Sequence, residues 1–176
     1  MKASSELERQ AASQVATLMA AAARTAPKTR GIDNIHVMAV DDEKTKQALL
    51  GKMKEIARSE NRPSFARDAD SVQASPVVVI IGVLANPSGL NCGFCGNSTC
   101  DELKAKDGVC SFNSMDLGIA ASSAAAIAAG FHVDNRMIFS IGKSCLELKL
   151  FDEGVKQAIG IPLSITGKSP FFDRKA

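Results

Sequence analysis

Four of the five cysteines in this chain crowd into one segment, with the spacing Cys92-x2-Cys95-x4-Cys100-x9-Cys110 that begins in NCGFCGNSTC. Thiolates two residues apart fold back on a tight turn and face one centre. Gly93 and Gly96 free the backbone for that turn and expose amide N–H groups. Those donors matter because the sulfurs of a metal cluster accept hydrogen bonds, which help set its reduction potential. Cys100 opens the helical pattern of DELKAK, whose positive end suits an anionic thiolate. Cys92, Cys95, Cys100 and Cys110 are therefore the candidate metal ligands, and four thiolates are the complement a [4Fe–4S] cluster needs. A [2Fe–2S] centre takes the same ligands, but the compact spacing favours the larger cluster. Structural zinc also takes four thiolates, usually as two short cysteine pairs, and Cys100 and Cys110 form no such pair. Disulfides or unrelated core cysteines are a third reading, at odds with a setting of Gly, Asn and Ser. Cys145, in GKSCLELKL, reads as a small core residue. His36 and His132 stand alone in sequence, weak candidates for ligands or proton donors.

The elements that must position these thiols belong to a chain of 176 residues, enough for one domain with a real core, spanning 1–176. The 45% hydrophobic and 23% charged content is ordinary for a globular protein, and the net charge of +2 comes from interleaved acids and bases. That balance gives no electrostatic footprint for nucleic acid or an anionic membrane. With 5% aromatic residues and no Trp or Tyr, stacking platforms for bases are not expected either. MKASSELERQ lacks the apolar run of a signal peptide, and no segment reaches the roughly 18 apolar residues of a membrane span. The expectation is a cytoplasmic protein, in whose reducing compartment clustered cysteines read as metal ligands.

Ser4 and Ser5 are expected to cap a first helix whose apolar face is Leu7, Ala11, Val15, Leu18, Met19 and Ala22, ending before Pro27. Ile35 to Val40 reads as a strand. Asp41 and Asp42 then place negative charge ahead of a second helix with the stripe Leu49, Leu50, Met53, Ile56 and Ala57. Residues 59–75 carry only a weak helical pattern. Val77 to Ile81 is β-branched without alternation, a strand buried on both faces, and the cysteine segment leaves its C-terminal end. DLGIAASSAAAIAAG predicts a helix of very small residues from about Asp116 to Gly130. Met137 to Ile141 reads as a strand, Lys143 to Leu150 as a short helix, and Ala158 to Ile165 as a last strand that Pro162 places at an edge or bend. The order is mixed α/β, helices flanking a sheet, with residues 89–116 an inserted cysteine-rich segment.

Several stretches resemble known proteins. LMAAAARTAPKTRGIDNIHVMAVDD, SPVVVIIGV, DLGIAASSAAAIAAGF and QAIGIPLSITGKSPFFDR resemble the early helix and first strand, a core strand, the long small-residue helix and the closing strand and C-terminal arm of nitroreductase-like flavoproteins. CGFCGNSTC, DLGIA and VDNRMIFSIG together are similar to an uncharacterised family whose members contain a ferredoxin-type iron–sulfur domain. The likeness implies an α+β fold with a mixed sheet flanked by helices, a homodimer with interlocked termini, and a flavin at the subunit interface. Nothing between Lys2 and Gln10 matches the Arg-Arg-Ser-x-Arg motif with which nitroreductases grip the FMN phosphate. The Asn and Gln-Pro-Trp residues of their second loop are missing as well. Arg24, Lys28 and Arg30 could supply the phosphate contacts instead, against the plainer reading of a solvated basic loop.

Two functions are therefore expected to compete. One is a redox protein that passes single electrons through a [4Fe–4S] centre, extended to a small reductase where FMN also binds. The other is a non-catalytic protein in which zinc staples the loop or a labile cluster senses oxygen or iron.

Overall fold

The computed structural model describes residues 1–172. Its centre is a four-stranded sheet in the order β1-β2-β4-β3, with β1 at Ile35–Val40, β2 at Val77–Leu84, β3 at Asp134–Asn135 and β4 at Val155–Ser164. The mixed sheet of the sequence reading becomes more specific here: every pairing is antiparallel. Two helices, α1 (Ser4–Thr25) and α5 (Ser111–Gly130), cover one face. Three more, α2 (Glu43–Ser59), α3 (Pro63–Gln73) and α6 (Phe139–Glu147), cover the other. A short helix, α4 (Cys100–Ala105), lies within the cysteine segment.

Successive side chains of a strand point to opposite faces, and β2 uses both for packing. Val77, Val79, Ile81 and Val83 join Met19, Ala120 and Ala124 in the α1/α5 core. Val78 and Ile80 join Leu49, Met53, Val72 and Ile141 on the other side. That is why the run carries no alternation. The small residues of α5 let α1 pack closely on it through Ala12, Ala16 and Ala23.

Several elements depart from the sequence expectations, each for a local reason. Ala3 rather than a serine is the N-cap of α1, and Ser4 Oγ donates instead to Glu8 Oε1 at 2.8 Å. The buried stripe of α1 is Ala12, Val15, Ala16, Met19 and Ala23, so Leu7 and Leu18 are left exposed. Residues 63–73 form α3, a full helix begun by Pro63 in its first turn, where the missing N–H costs nothing. Its apolar residues Phe65, Ala69 and Val72 recur at helical spacing among polar neighbours. The strand expected at Met137–Ile141 shrinks to Ile138, which bridges Gly160, and α6 starts at Phe139 rather than Lys143. Short apolar runs are ambiguous by pattern alone. In β4, Gly160 exchanges its N–H and C=O with Ile138 on the side away from β2. Pro162, two residues on, points its nitrogen the same way, where β3 pairs only two residues. Of the C-terminal arm, Asp173 and Arg174 lie outside the described residues.

Gly142 and Gly160 bring α6 against β4 with almost nothing between them: a Cβ on Gly142 would overlap the Ala158 carbonyl. Gly142→Ala should cost about 3 kcal/mol, lowering Tm by roughly 6–12 °C for a chain of this size. Gly51→Ala, in α2 with open space around it, should instead gain about 0.5–1 kcal/mol. Calorimetry of the two variants checks the contrast, and equal effects would show that the α6–β4 contact is not tight.

Candidate metal centre

β2 ends at Leu84 and the chain runs through Asn86, Pro87 and Ser88 into the cysteine segment. Here no strand or long helix holds the backbone, and polar contacts take over. Asn91, Gly93 and Gly96 all adopt left-handed φ values of 48°, 72° and 81°. The Gly96 N–H closes a turn on the Gly93 carbonyl at 2.9 Å, with Cys92 just before the turn and Cys95 within it. Asn91 Oδ1 accepts from the Cys100 N–H at 2.8 Å and so ties the first cysteine to the third. Thr99 caps α4 by accepting from the Glu102 N–H at 3.1 Å, while Glu102 reaches back to the Ser98 N–H at 2.8 Å. This is a capping box displaced by one residue. Lys106 hydrogen-bonds both Glu102 and Asn97, at 2.7 and 2.9 Å. The first cause of the lowered Glu102 pKa is its hydrogen bond from Lys106.

Cys110 is the N-cap of α5, which begins at Ser111, five residues before the Asp116 start that the small-residue pattern predicts. All four sequence-predicted thiols line one small cavity, partly open to solvent, together with Ser88, Phe94 and Phe112. Their burial is graded: Cys92 is exposed, Cys95 and Cys100 are half-buried and Cys110 is buried. All four are free thiols. Among the described residues no three Cys, His, Asp or Glu side chains converge tightly enough to share one ion.

Burial alone would push the Cys110 thiol up, yet its pKa is lowered, because the N–H groups of Ser88, Phe112 and Asn113 and the Ser88 hydroxyl face the sulfur. No strict cap hydrogen bond is closed there, since a thiol is a long, weak acceptor. The Asn97 amide lies 3.7 Å from Cys95 Sγ. Ser88 Oγ is buried with no hydrogen-bond partner of good geometry. Such an orphan, beside four thiols and several free donors, fits a thiolate-held cluster. Ser88 and Asn97 are site residues that sequence reasoning missed; the Asn-Pro-Ser-Gly turn just ahead of Cys92 was the available signal.

Arg24 and Lys28 meet at Asp33, and Arg30 is engaged elsewhere. Arg24 pairs with Asp33 and the Ile35 carbonyl, and Lys28 lies 3.9 Å from Asp33 and donates to the Ala26 carbonyl at 2.9 Å. Arg30 donates to the Ser88 carbonyl at 2.7 Å. Asp116 of DLGIA, buried, accepts from the N–H and hydroxyl of Thr29 at 3.0 and 2.9 Å and so pins this loop to α5. His36 is half-buried on β1, and His132 sits exposed in a left-handed turn after α5. Neither touches the cysteine cavity.

Cys145 lies fully buried among Val78, Ile80 and Ile141, and desolvation pushes its thiol up to about 12. A native protein treated with iodoacetamide near neutral pH should therefore label Cys92 and spare Cys145 until denaturant is added. The folded form holds the Cys145 proton longer than the unfolded form. Its contribution to stability is whole below the unfolded thiol pKa and is lost on raising the pH from about 9 to 12, at up to ~1.4 kcal/mol per pH unit. Denaturant titrations of the unaltered chain and Cys145→Ala across that window check the slope.

The chain resembles known proteins in sequence and in fold. An uncharacterized protein of Archaeoglobus fulgidus is 39% identical over 168 residues, covering 90% of this chain and 89% of its own. An FMN-bound nitroreductase of Bacteroides fragilis superposes with a TM-score of 0.65 at 14% identity, over 93% of this chain and 82% of that one. For an FMN-bound nitroreductase of Desulfitobacterium hafniense the values are 0.62 and 15%, over 88% and 78%. A BluB-like flavoprotein of Clostridium difficile gives 0.56 and 19%, over 93% and 83%. At such identities the likeness is one of fold. The sequence profile of the family described as "Uncharacterized protein containing a ferredoxin domain (DUF2148)" matches residues 106–174, which include Cys110 and follow Cys92, Cys95 and Cys100. With a relative this similar over nine-tenths of its length and the profile across its C-terminal part, the chain belongs to this ferredoxin-domain family.

Proposed function

We propose that this chain is an iron–sulfur redox protein that holds a [4Fe–4S] cluster through Cys92, Cys95, Cys100 and Cys110. The observation that carries the reading is the single cavity lined by all four free thiols. Mononuclear zinc draws its sulfurs to about 2.3 Å from one point. Four cysteines lining one cavity suit several irons, each taking one thiolate. When bound, such a cluster supplies one-electron transfer. The chain's own residues supply the thiolates, surround Cys110 with donors and shield it from water, leaving Cys92 toward solvent. Residues 89–116 are the cluster-binding segment of one domain spanning 1–176, and free thiols suit a reducing cytoplasm.

A flavin-dependent reductase is the extension of this reading that the fold favours, because two of the neighbours described above carry FMN. Arg24, Lys28 and Arg30 would then have to leave Asp33 and the Ser88 carbonyl to reach a phosphate. The opposing reading, a zinc staple or labile sensor, rests on the same four thiols. A homodimer is supported by apolar side chains left bare on the two packed helices, Met115 and Ile119 on α5 and Leu18 on α1. No described helix is long and apolar enough to cross a membrane.

Protein purified without oxygen should be brown, with iron and acid-labile sulfide in equal amounts. Zinc in a colourless protein would overturn the redox reading, and bound yellow flavin would establish the reductase extension. Cys95→Ser should lose most of the iron, while Cys145→Ser should keep it. Equal loss in both would mean that the ligand set is wrong. Ile119→Glu should convert a dimer to a monomer in sedimentation, and a chain already monomeric at high concentration would rule the dimer out.

A further inference from the structure

Building on the cluster reading, we infer that Ser88 and Arg30 are positioning residues of the metal centre: Arg30 fixes the Ser88 carbonyl, and Ser88 turns its hydroxyl to the Cys110 sulfur. Ser88 and Cys110 line the same cavity, and both are buried. The Ser88 hydroxyl has no nitrogen or oxygen partner, an expensive state for a buried donor. A metal-bound thiolate at Cys110 is the acceptor that would satisfy it. The Ser88 backbone is not free to drift, because Arg30 Nη1 donates to its carbonyl at 2.7 Å. Arg30 reaches that carbonyl from a left-handed backbone, φ 58°, which residues with a Cβ seldom adopt. Such strain persists where the surroundings over-determine it. Here the preceding Thr29 is clamped by both its N–H and its hydroxyl to Asp116 Oδ1.

Gly89, next to Ser88, takes a left-handed φ of 75°, a second turn that glycine makes without strain. The supports thus form a closed circuit: Asp116 of α5 holds Thr29, the adjoining Arg30 holds Ser88, and Ser88 faces Cys110 at the start of the same α5. Donors to a cluster thiolate stabilise its more negative, reduced state, so this circuit raises the reduction potential.

The test uses anaerobically reconstituted full chains: unaltered, Ser88→Ala, Ser88→Thr and Arg30→Gly. Iron and sulfide per chain are measured alongside the midpoint potential from a spectroelectrochemical titration. Ser88→Ala should bind as much iron and sulfide as the unaltered chain but titrate at a more negative potential. Ser88→Thr, which keeps the hydroxyl, should return to the unaltered potential. Arg30→Gly accepts the left-handed backbone without strain, so it should fold at least as stably and still shift the potential in the Ser88→Ala direction. A filled centre whose potential is unchanged in Ser88→Ala, or not restored by Ser88→Thr, overturns the inference and leaves the cluster reading standing. An unaltered chain that takes up no iron or sulfide sinks both.

Discussion

Burial of β2 on both faces is the constraint on which the rest of the molecule depends. Val77 through Ile81 and Val83 are at most 1% exposed, and each such side chain contributes about 1.5–3 kcal/mol by leaving water. Satisfying two faces at once demands two helical layers. It thereby fixes α1 and α5 on one side and α2, α3 and α6 on the other. The C-terminal end of this immobile strand is where the thiol-bearing segment departs.

That segment is held by a different physics. Between Ser88 and Cys110 only Leu103 packs as a buried aliphatic side chain. The shape there comes from left-handed turns, a capping box, side-chain amides and the Lys156–Asp107 ion pair that moors it to β4. A backbone with so little apolar burial gains most from a bound inorganic centre, because ligation replaces the missing core. The scaffold is stable through packing, while the centre depends on polar complementarity. Their meeting point is Cys110, a buried thiol that begins a long core helix.

Sequence carried much of this. The two-faced β2, the strand Ile35–Val40, the cysteine spacing and the core character of Cys145 could all be read from residue type and order. Where the reading slipped, a tertiary preference outweighed a local one. On α1 the larger leucines promised the buried face, but contact with the alanine-rich α5 selects Ala12, Ala16 and Ala23. The apolar residues of α3 are diluted by Arg67, Asp68 and Asp70, and the Asp68 bond to Ser140 Oγ that makes them useful spans 72 residues. Nothing in Ser88 or Arg30 alone reveals their partnership, which exists only once two loops separated in the chain meet.

Phe94 sits in the turn between Cys92 and Cys95, and Phe112 two residues past Cys110; their ring centroids lie 5.6 Å apart with the planes tilted by 32°, and both line the thiol cavity. This contact fastens the first turn of the segment to the opening of α5 by apolar surface, although the Phe94 ring is itself 64% exposed.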